Sequence, residues 1–320
     1  MTPKRADQGD LFGPEPSRRD ESRGQPRNGG EAGGARRDGT AHPGEAVPPA
    51  PLARRFGREG RIRIGTSGYS FVDWVGNFYP AGLPRGKMLD EYVRHFDTVE
   101  INSSYYRIPT ADMFGRMEAK TPPGFEFVVK LFQGMTHRTE DSPDMYRDFA
   151  ASVMPLKEAG KFGGYLAQFP WQFKKSAEAE DRLVALRERL PGDPLFVEFR
   201  HDSWIEAATF DFLREKDIGY CSVDEPHLQG LVPPVAVATT DGAYVRFHGR
   251  NARDWWGKGG GDRYNYDYRP EELVEWTQKM HKLEEKVKKV YAFFNNCHAG
   301  HAARNAELMM ELLGGELGSR

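Results

Sequence analysis

The chain has 320 residues, of which 38% are hydrophobic and 29% are charged, with a formal net charge of −2. This balance is ordinary for a globular protein and excludes one that coats nucleic acid by bulk charge, although it permits a local basic cleft. No apolar run is long enough to span a membrane, the charged first residues do not resemble a signal peptide, and two cysteines are too few for a disulfide framework. We therefore expect a cytoplasmic protein without membrane contact.

The first part of the chain differs in composition from the rest. Residues 1–55 contain nine Gly, eight Pro, ten basic and eight acidic side chains, with Phe12 as their one aromatic residue. Such a segment cannot bury enough apolar surface to offset an ordering entropy of about 1–2 kcal/mol per residue. We expect residues 1–58 to form a disordered tail and residues 59–316 to form a single domain.

Eight short strand-like runs follow the tail. They are Arg61–Thr66, Thr98–Asn102, Phe125–Lys130, Gly164–Gln168, Leu195–Arg200, Gly219–Val223, Ala243–His248 and Val290–Asn295. Amphipathic helical segments lie between or after them, near Lys87–His95, Ala111–Ala119, Met145–Ala159, Ala179–Arg189, Ala207–Lys216, Glu271–Glu285 and Ala302–Leu313. The link Asp224–Gly242 lacks a clear helix. Eight alternating units in a chain of this length predict an α/β fold of the TIM-type (β/α)8 barrel class.

Polar side chains collect where these strands end, which is the face that carries the ligand site in a parallel barrel. Alternate residues of a strand share a face, so three pairs are expected in the barrel interior: Glu100 with Asn102, Glu198 with Arg200, and Arg246 with His248. Charged groups in a core are costly unless they are paired or solvated. The pattern therefore favours a functional cleft, and the alternative is a salt-bridge network that closes the top of the barrel.

The residue types at this face suggest roles for a catalytic site. Glu100, Glu198 and His248 are the candidate catalytic residues, because carboxylates and imidazole exchange protons near neutral pH. The cations among the candidate binding residues would clamp a phosphate or carboxylate. The candidate substrate-binding residues are Thr66, Asn102, Tyr106, Lys130, His137, Gln168, Arg200, His201, Trp204, Asp224, Arg246, Arg250, Tyr264, Asn295 and Asn296.

A long loop after the seventh strand interleaves basic and aromatic residues from His248 to Tyr268. Aromatic rings stack on bases or sugar faces while basic groups bind phosphate, so the loop suits a nucleic-acid strand or a sugar. The alternative is a lid that packs its aromatic residues over the barrel.

A metal site is a further alternative. His137, His201, His248 and His298 could combine with Glu100, Glu198 and Asp224 as nitrogen and oxygen ligands for zinc or manganese. No regular ligand spacing is present, and the nearby cations would repel a metal ion. A divalent metal is therefore not favoured, and the cofactor is left open.

Nine sequence segments resemble the YecE-like family, domain of unknown function 72. They are GTSGYSFVDW (65–74), FYP (78–80), TVEINSSYYRIP (98–109), FVVK with a following TH (127–137), QFP (168–170), VEFRHDSW (197–204), YVRFHGR (244–250), RYNYDY (263–268) and FFNN (293–296). The resemblance spans about residues 61–313 in order. It implies a TIM-barrel-like fold, in agreement with the strand count, but no reaction.

Three functions are compatible with these features. The leading hypothesis is a hydrolase-like enzyme that acts on a phosphate-bearing or nucleic-acid substrate at the barrel mouth. A carbohydrate-active enzyme using Glu100 and Glu198 as paired carboxylates is the second. The third is a non-catalytic binding module, because Gln8, Leu11 and Phe12 resemble the QxxLF peptide by which bacterial proteins dock on the DNA sliding clamp.

Overall fold

The computed structural model describes residues 60–138, 142–257 and 262–315. Eight parallel strands form one sheet in the order β1-β8-β7-β6-β5-β4-β3-β2. The strands are β1 (Ile62–Thr66), β2 (Thr98–Ile101), β3 (Glu126–Lys130), β4 (Phe162–Gln168), β5 (Leu195–Glu198), β6 (Gly219–Asp224), β7 (Gly242–Phe247) and β8 (Lys289–Phe294). The predicted (β/α)8 barrel is confirmed, whereas the predicted tail, with Gln8, Leu11 and Phe12, lies outside the described residues.

The barrel closes between its two edge strands, β1 and β2. A parallel bridge joins Ser67 to Glu100, and the strands approach so closely that a Cβ on Gly65 would lie 2.3 Å from the Thr98 carbonyl oxygen. The Tyr92 hydroxyl accepts a hydrogen bond from the Thr66 amide and donates one to the Thr98 carbonyl, each at 3.0 Å. One side chain thus supplies hydrogen bonds between the two edge strands at the seam, where they share an isolated bridge instead of a continuous ladder.

Nine α-helices are described around the sheet. They are α1 (Met88–Tyr92), α2 (Ala111–Ala119), α3 (Gln133–Thr136), α4 (Pro143–Ser152), α5 (Met154–Glu158), α6 (Ala177–Arg189), α7 (Ala207–Glu215), α8 (Pro270–Glu284) and α9 (His301–Gly315). The segment predicted as one helix over Met145–Ala159 is two, because Pro155 has no amide hydrogen to donate to the preceding turn. The link from β6 to β7 contains no helix, as the sequence predicts.

The barrel interior consists of stacked layers. Arg63 at the N-terminal end pairs with Asp97 and Glu126 and is 2% exposed. Aromatic residues fill the middle, where the Tyr244 ring lies 4.9 Å from Phe196 and 5.3 Å from Phe293. Charged residues return above this layer. The apolar middle therefore supports a polar site at the C-terminal end of the strands.

The length and apolar character of the helices decide whether any of them could cross a membrane. Among the residues that the structure describes, no helix is both long and apolar enough to cross a bilayer.

Candidate functional site

Arg246 on β7 occupies the centre of the site and is almost fully buried. Its Nη2 donates to Glu100 Oε1 at 2.7 Å and its Nη1 donates to Glu198 Oε2 at 2.6 Å. The Tyr244 hydroxyl donates to the other oxygen of Glu100 at 2.6 Å. Both carboxylates have no exposed surface. One guanidinium therefore joins two buried carboxylates across the barrel and offsets much of their desolvation cost.

Glu198 also holds His248 in a defined protonation state. Glu198 Oε1 lies 2.6 Å from Arg200 Nε and 3.2 Å from His248 Nε2, while the Asn295 amide donates to His248 Nδ1 at 3.0 Å. Because an amide nitrogen can only donate, Nδ1 accepts and Nε2 carries the proton that points to Glu198. Burial and the nearby Arg200 lower the pKa of His248 to about 3, so the ring is neutral at physiological pH.

Opposing effects set the pKa of Glu198. Burial alone would raise it, but Arg246, Arg200 and His248 hold the pKa of this carboxyl well below its usual range. Glu198 is therefore ionised throughout the physiological pH range and suits the orientation of His248 better than the donation of a proton.

Glu225 is a member of the site that the sequence did not reveal. Arg200 Nη1 donates to its Oε2 at 2.8 Å, and the Val232 amide donates to its Oε1 at 3.1 Å. Burial, partly opposed by Arg200, raises the pKa of Glu225 to about 7. Strand alternation is the signal that could have found it, since Glu225 has the same parity as Cys221, whose Sγ faces Glu198.

Lys130, at the end of β3, has different surroundings from the buried arginines. Its Nζ donates to Gln168 Oε1 at 2.8 Å and lies 4.6 Å from the centre of the Tyr105 ring. In the described part of the chain, no carboxylate lies within ion-pair distance of it. Burial, together with repulsion from Arg246 and Arg200, lowers the pKa of Lys130 to about 7. Lys130 therefore faces the barrel mouth as a half-buried amine.

Aromatic and amide side chains surround Lys130 at the opening. The Tyr105 ring packs edge-on against His137 and against Tyr106, which is 64% exposed. Burial and Lys130 lower the pKa of His137 to about 3. Asn102 donates to the Ser67 carbonyl, and its Oδ1 has no partner among the described residues. The opening thus offers neutral hydrogen-bonding groups around a cation.

Some candidate residues lie on the outer faces of their strands instead. Asp224 accepts bonds from Arg250, from the Tyr268 hydroxyl and from Trp276 on α8, so the Asp224–Arg250 pair lies outside the barrel. Thr66 contacts the Tyr92 hydroxyl, and Asn296 donates to the Tyr266 carbonyl and to Asn305. These residues support the βα loops. Ser67 and Glu225 face inward in place of Thr66 and Asp224, and of the two candidates Asn295 and Asn296 it is Asn295 that faces inward.

His201 and Trp204 belong to the loop after β5 rather than to the centre of the site. His201 Nδ1 accepts from the Ser203 amide, and its ring lies 5.1 Å from Trp171. Trp204 is fully buried, stacks on Phe199 at 4.1 Å and donates to the Phe173 carbonyl. Trp204 therefore anchors this loop against the outer face of β5.

The loop after β7 covers part of the site. Trp255 is buried with the Arg200 guanidinium 6.0 Å from its ring, and Tyr264 lies 6.4 Å from the His248 ring. Trp256 is 48% exposed and packs edge-on against Trp171. Trp255 and Tyr264 are placed as a lid would require, and the partly exposed Trp256 is placed as a stacking surface would require. Its residues 258–261 lie outside the described part.

The side chains considered for a metal centre do not come together as one group in the described residues. Within residues 60–138, 142–257 and 262–315, no three His, Cys, Asp or Glu side chains converge as a metal-binding group. Glu198 and His248 contact each other, but Arg200 and Arg246 occupy the space around them.

The sequence is similar to one protein family and to two proteins of that kind from bacteria. The model of a family described as "Protein of unknown function DUF72" matches residues 63–319. UPF0759 protein YunF of Bacillus subtilis is 34% identical over 269 residues, which cover 79% of this chain and 94% of that protein. UPF0759 protein YecE of Escherichia coli K12 is 26% identical over 59% of this chain and 74% of its own length.

Two solved structures of DUF72 family proteins are also similar to this chain. A DUF72 family protein from Thermotoga maritima matches with a TM-score of 0.74 and 41% identity, covering 79% of this chain and 99% of that one. One from Enterococcus faecalis matches with a TM-score of 0.72 and 28% identity, covering 79% and 95%. The similarity therefore extends over the barrel.

Proposed function

The chain belongs to the DUF72 family of proteins of unknown function, and we propose from its barrel mouth that it is an enzyme acting on a phosphate-bearing substrate by hydrolase-like chemistry. The observation that carries the proposal is the distribution of charge. Glu100 and Glu198 are buried and bonded to arginines, whereas Lys130 and Arg200 lie further towards the C-terminal ends of the strands and keep some exposed surface. An incoming anion therefore meets these cations and neutral donors before it meets Glu100 or Glu198.

The proposed reaction uses His248 as a general base. A bound phosphate would offset the positive charge of Arg200, which helps to lower the pKa of His248 in the free protein. The ring would then take a proton from water at Nδ1 once Asn295 turns away, and ionised Glu198 would stabilise the resulting imidazolium through Nε2. Arg200 would bind the phosphate, and Lys130 would add positive charge beside it. Asn102 and Gln168 would orient the substrate, and the loop after β7 would limit the access of water.

Turnover of a phosphoester panel tests the proposal. The panel contains phosphomonoesters, phosphodiesters and single- and double-stranded oligonucleotides, with and without added magnesium, manganese or zinc. We expect hydrolysis by the full chain and a loss of about 100-fold or more in His248→Asn, the scale of general-base catalysis. Exposed His227→Asn is the matched control and should retain activity. Absence of turnover on every substrate would refute the proposal.

The carbohydrate alternative receives less support from the geometry. Glu100 and Glu198 share Arg246, have no exposed surface, and each oxygen of both is already bonded. A glycosidase needs one carboxyl group that can donate a proton and another that can reach the sugar. Hydrolysis of glycosides by the wild-type chain, abolished by Glu100→Gln, would reverse this preference.

The clamp-tethered module remains a separate proposal because its motif lies outside the described residues. Binding of a peptide containing residues 1–20 to a bacterial sliding clamp, lost on Leu11→Ala/Phe12→Ala, would support a docking role. No binding by the wild-type peptide would reject that role.

A further inference from the structure

We propose that Lys130 is a nucleophile whose amine forms an imine with an aldehyde or ketone carbonyl of a small phosphate-bearing molecule. The phosphate half of this ligand rests on the proposed function, whereas the carbonyl half rests on the surroundings of Lys130. An imine-forming lysine must be accessible, must lose its proton near neutral pH and must not be held in an ion pair.

The hydrogen bonding of Lys130 meets the condition that the lysine must not be held in an ion pair. Three other lysines that are buried or partly buried are held by carboxylates: Lys157 by Asp193, Lys161 by Glu118 and Lys289 by Glu126. Partly buried Lys279 donates to the Pro234 carbonyl. Lys130 instead donates to Gln168 Oε1, which is a neutral amide oxygen. Loss of its proton therefore breaks no ion pair among the described residues, and the resulting amine can still donate to Gln168.

Burial, with repulsion from Arg246, favours the neutral amine of Lys130. Arg246 repels an ammonium group at this position more strongly than either Glu198 or Glu100 attracts it, and Arg200 adds a smaller repulsion. His137, which packs on the same Tyr105 ring, is neutral. Burial contributes most, and the pKa of Lys130 falls to about 7. A large fraction of the protein therefore carries a free lone pair on Nζ at neutral pH.

The proposed step needs no further reactant. The Nζ lone pair attacks the carbonyl carbon, the C–N bond forms, and one proton moves from the nitrogen to the carbonyl oxygen. The carbinolamine then loses this hydroxyl group together with the second nitrogen proton as water, which leaves the imine with no change in oxidation state. Once protonated, the imine carries a positive charge at the former Nζ. The charge that attracts the phosphate is thus preserved, while Arg200 holds the phosphate itself.

Reductive trapping tests the proposal on the full chain. The protein is incubated with glyceraldehyde 3-phosphate and cyanoborohydride at pH 7, and the adducts are mapped by peptide mass spectrometry. We expect Lys130 to be labelled about ten-fold or more faster than exposed Lys174, because a lysine with a pKa near 10.4 is almost fully protonated at this pH. Lys130→Arg should abolish this adduct, whereas Lys174→Arg should not change it.

Two further probes separate the two halves of the ligand. Glycerol 3-phosphate has no carbonyl and reports phosphate binding through a rise in Tm, which Lys130→Arg should retain. Glyceraldehyde has no phosphate and should label Lys130 more slowly than its phosphate ester does. A rise in Tm without a Lys130 adduct would overturn the imine and leave the proposed function standing. Equal labelling by both aldehydes, with no rise in Tm, would keep the nucleophile and refute the phosphate site.

Discussion

Arg246 is the residue on which the buried charges of the site depend. It contacts Glu100 and Glu198, neither of which is exposed to water. Replacing it with methionine leaves two carboxylates in the barrel without their shared counter-charge. We expect Arg246→Met to lower the free energy of unfolding by about 3–5 kcal/mol, the cost of breaking a buried ion pair from one side. Urea denaturation at pH 7 measures this loss.

The matched control for Arg246 is a surface arginine in a similar pair. Arg94, in the turn after α1, binds Glu91 with its side chain 62% exposed. Arg94→Met should cost less than about 1 kcal/mol, because solvent screens such pairs. Equal losses in the two variants would show that the Arg246 pairs contribute no more than a surface pair.

His248 makes the stability of the fold dependent on pH in a defined direction. Its pKa is about 3 in the folded chain and near 6.5 when unfolded. Between these values the unfolded state binds more protons, so the free energy of unfolding falls as the pH falls below 6.5. One such group contributes at most about 1.4 kcal/mol per pH unit. His137 acts in the same direction.

The variant His248→Asn isolates this contribution. Urea denaturation between pH 4.5 and 8 should show a shallower loss of stability than in the wild type, by about 1 kcal/mol per pH unit below pH 6. Above pH 7.5 the two curves should run parallel, offset only by the lost hydrogen bonds. Parallel curves over the whole range would mean that His248 titrates normally in the folded protein.

At the scale of elements, the seam between β1 and β2 is the place where the barrel depends on a side chain. The Tyr92 hydroxyl bonds the Thr66 amide and the Thr98 carbonyl. Tyr92→Phe leaves both buried groups without this partner, and we expect it to cost about 1–3 kcal/mol. Tyr79→Phe is the control, since the Tyr79 hydroxyl bonds a single carbonyl. Hydrogen exchange at the Thr66 amide should accelerate in the first variant only.

Gly65 provides a second test of the same seam. A Cβ at this position would lie 2.3 Å from the Thr98 carbonyl oxygen, which belongs to the backbone and cannot move aside cheaply. We expect Gly65→Ala to destabilise the fold by about 1–3 kcal/mol, as overpacking does. Gly86→Ala is the control, because a Cβ there meets nothing within 4 Å. A Gly65→Ala variant as stable as this control would show that the strands can separate at no cost.

The elements also show what sequence periodicity can and cannot predict. Alternation places Glu198, Arg246 and His248 in the interior, because strand geometry repeats every two residues whatever the sequence. At the end of a strand, it is harder to predict which of two neighbouring residues faces the barrel interior. The sequence favoured Thr66 over Ser67 and Asp224 over Glu225, and it included both Asn295 and Asn296, whereas Ser67, Glu225 and Asn295 face the mouth. The pairing of Arg246 with two carboxylates depends on contacts across the barrel, which a single sequence does not reveal.

For the whole molecule, the net charge of −2 divides unevenly between tail and barrel. Residues 1–55 carry ten basic and eight acidic side chains, which gives +2 and leaves −4 on the remaining residues. The cations at the mouth therefore produce a local positive potential within a barrel whose net charge is negative. A phosphate ligand is attracted only at short range, so its binding should weaken with salt less steeply than in a protein with a basic surface.

The start of the barrel domain can be tested by removing the residues before it. Within the described residues, which begin at residue 60, Arg61 is fixed to the barrel by two contacts: its amide donates to Glu284 Oε1 and its guanidinium to the Val287 carbonyl. Composition predicts that the residues before it bury little apolar surface. A chain without residues 1–58 should therefore keep its free energy of unfolding within about 0.5 kcal/mol of the full chain. Limited proteolysis should cut before residue 60, and a loss of more than about 1 kcal/mol would instead make the tail part of the fold.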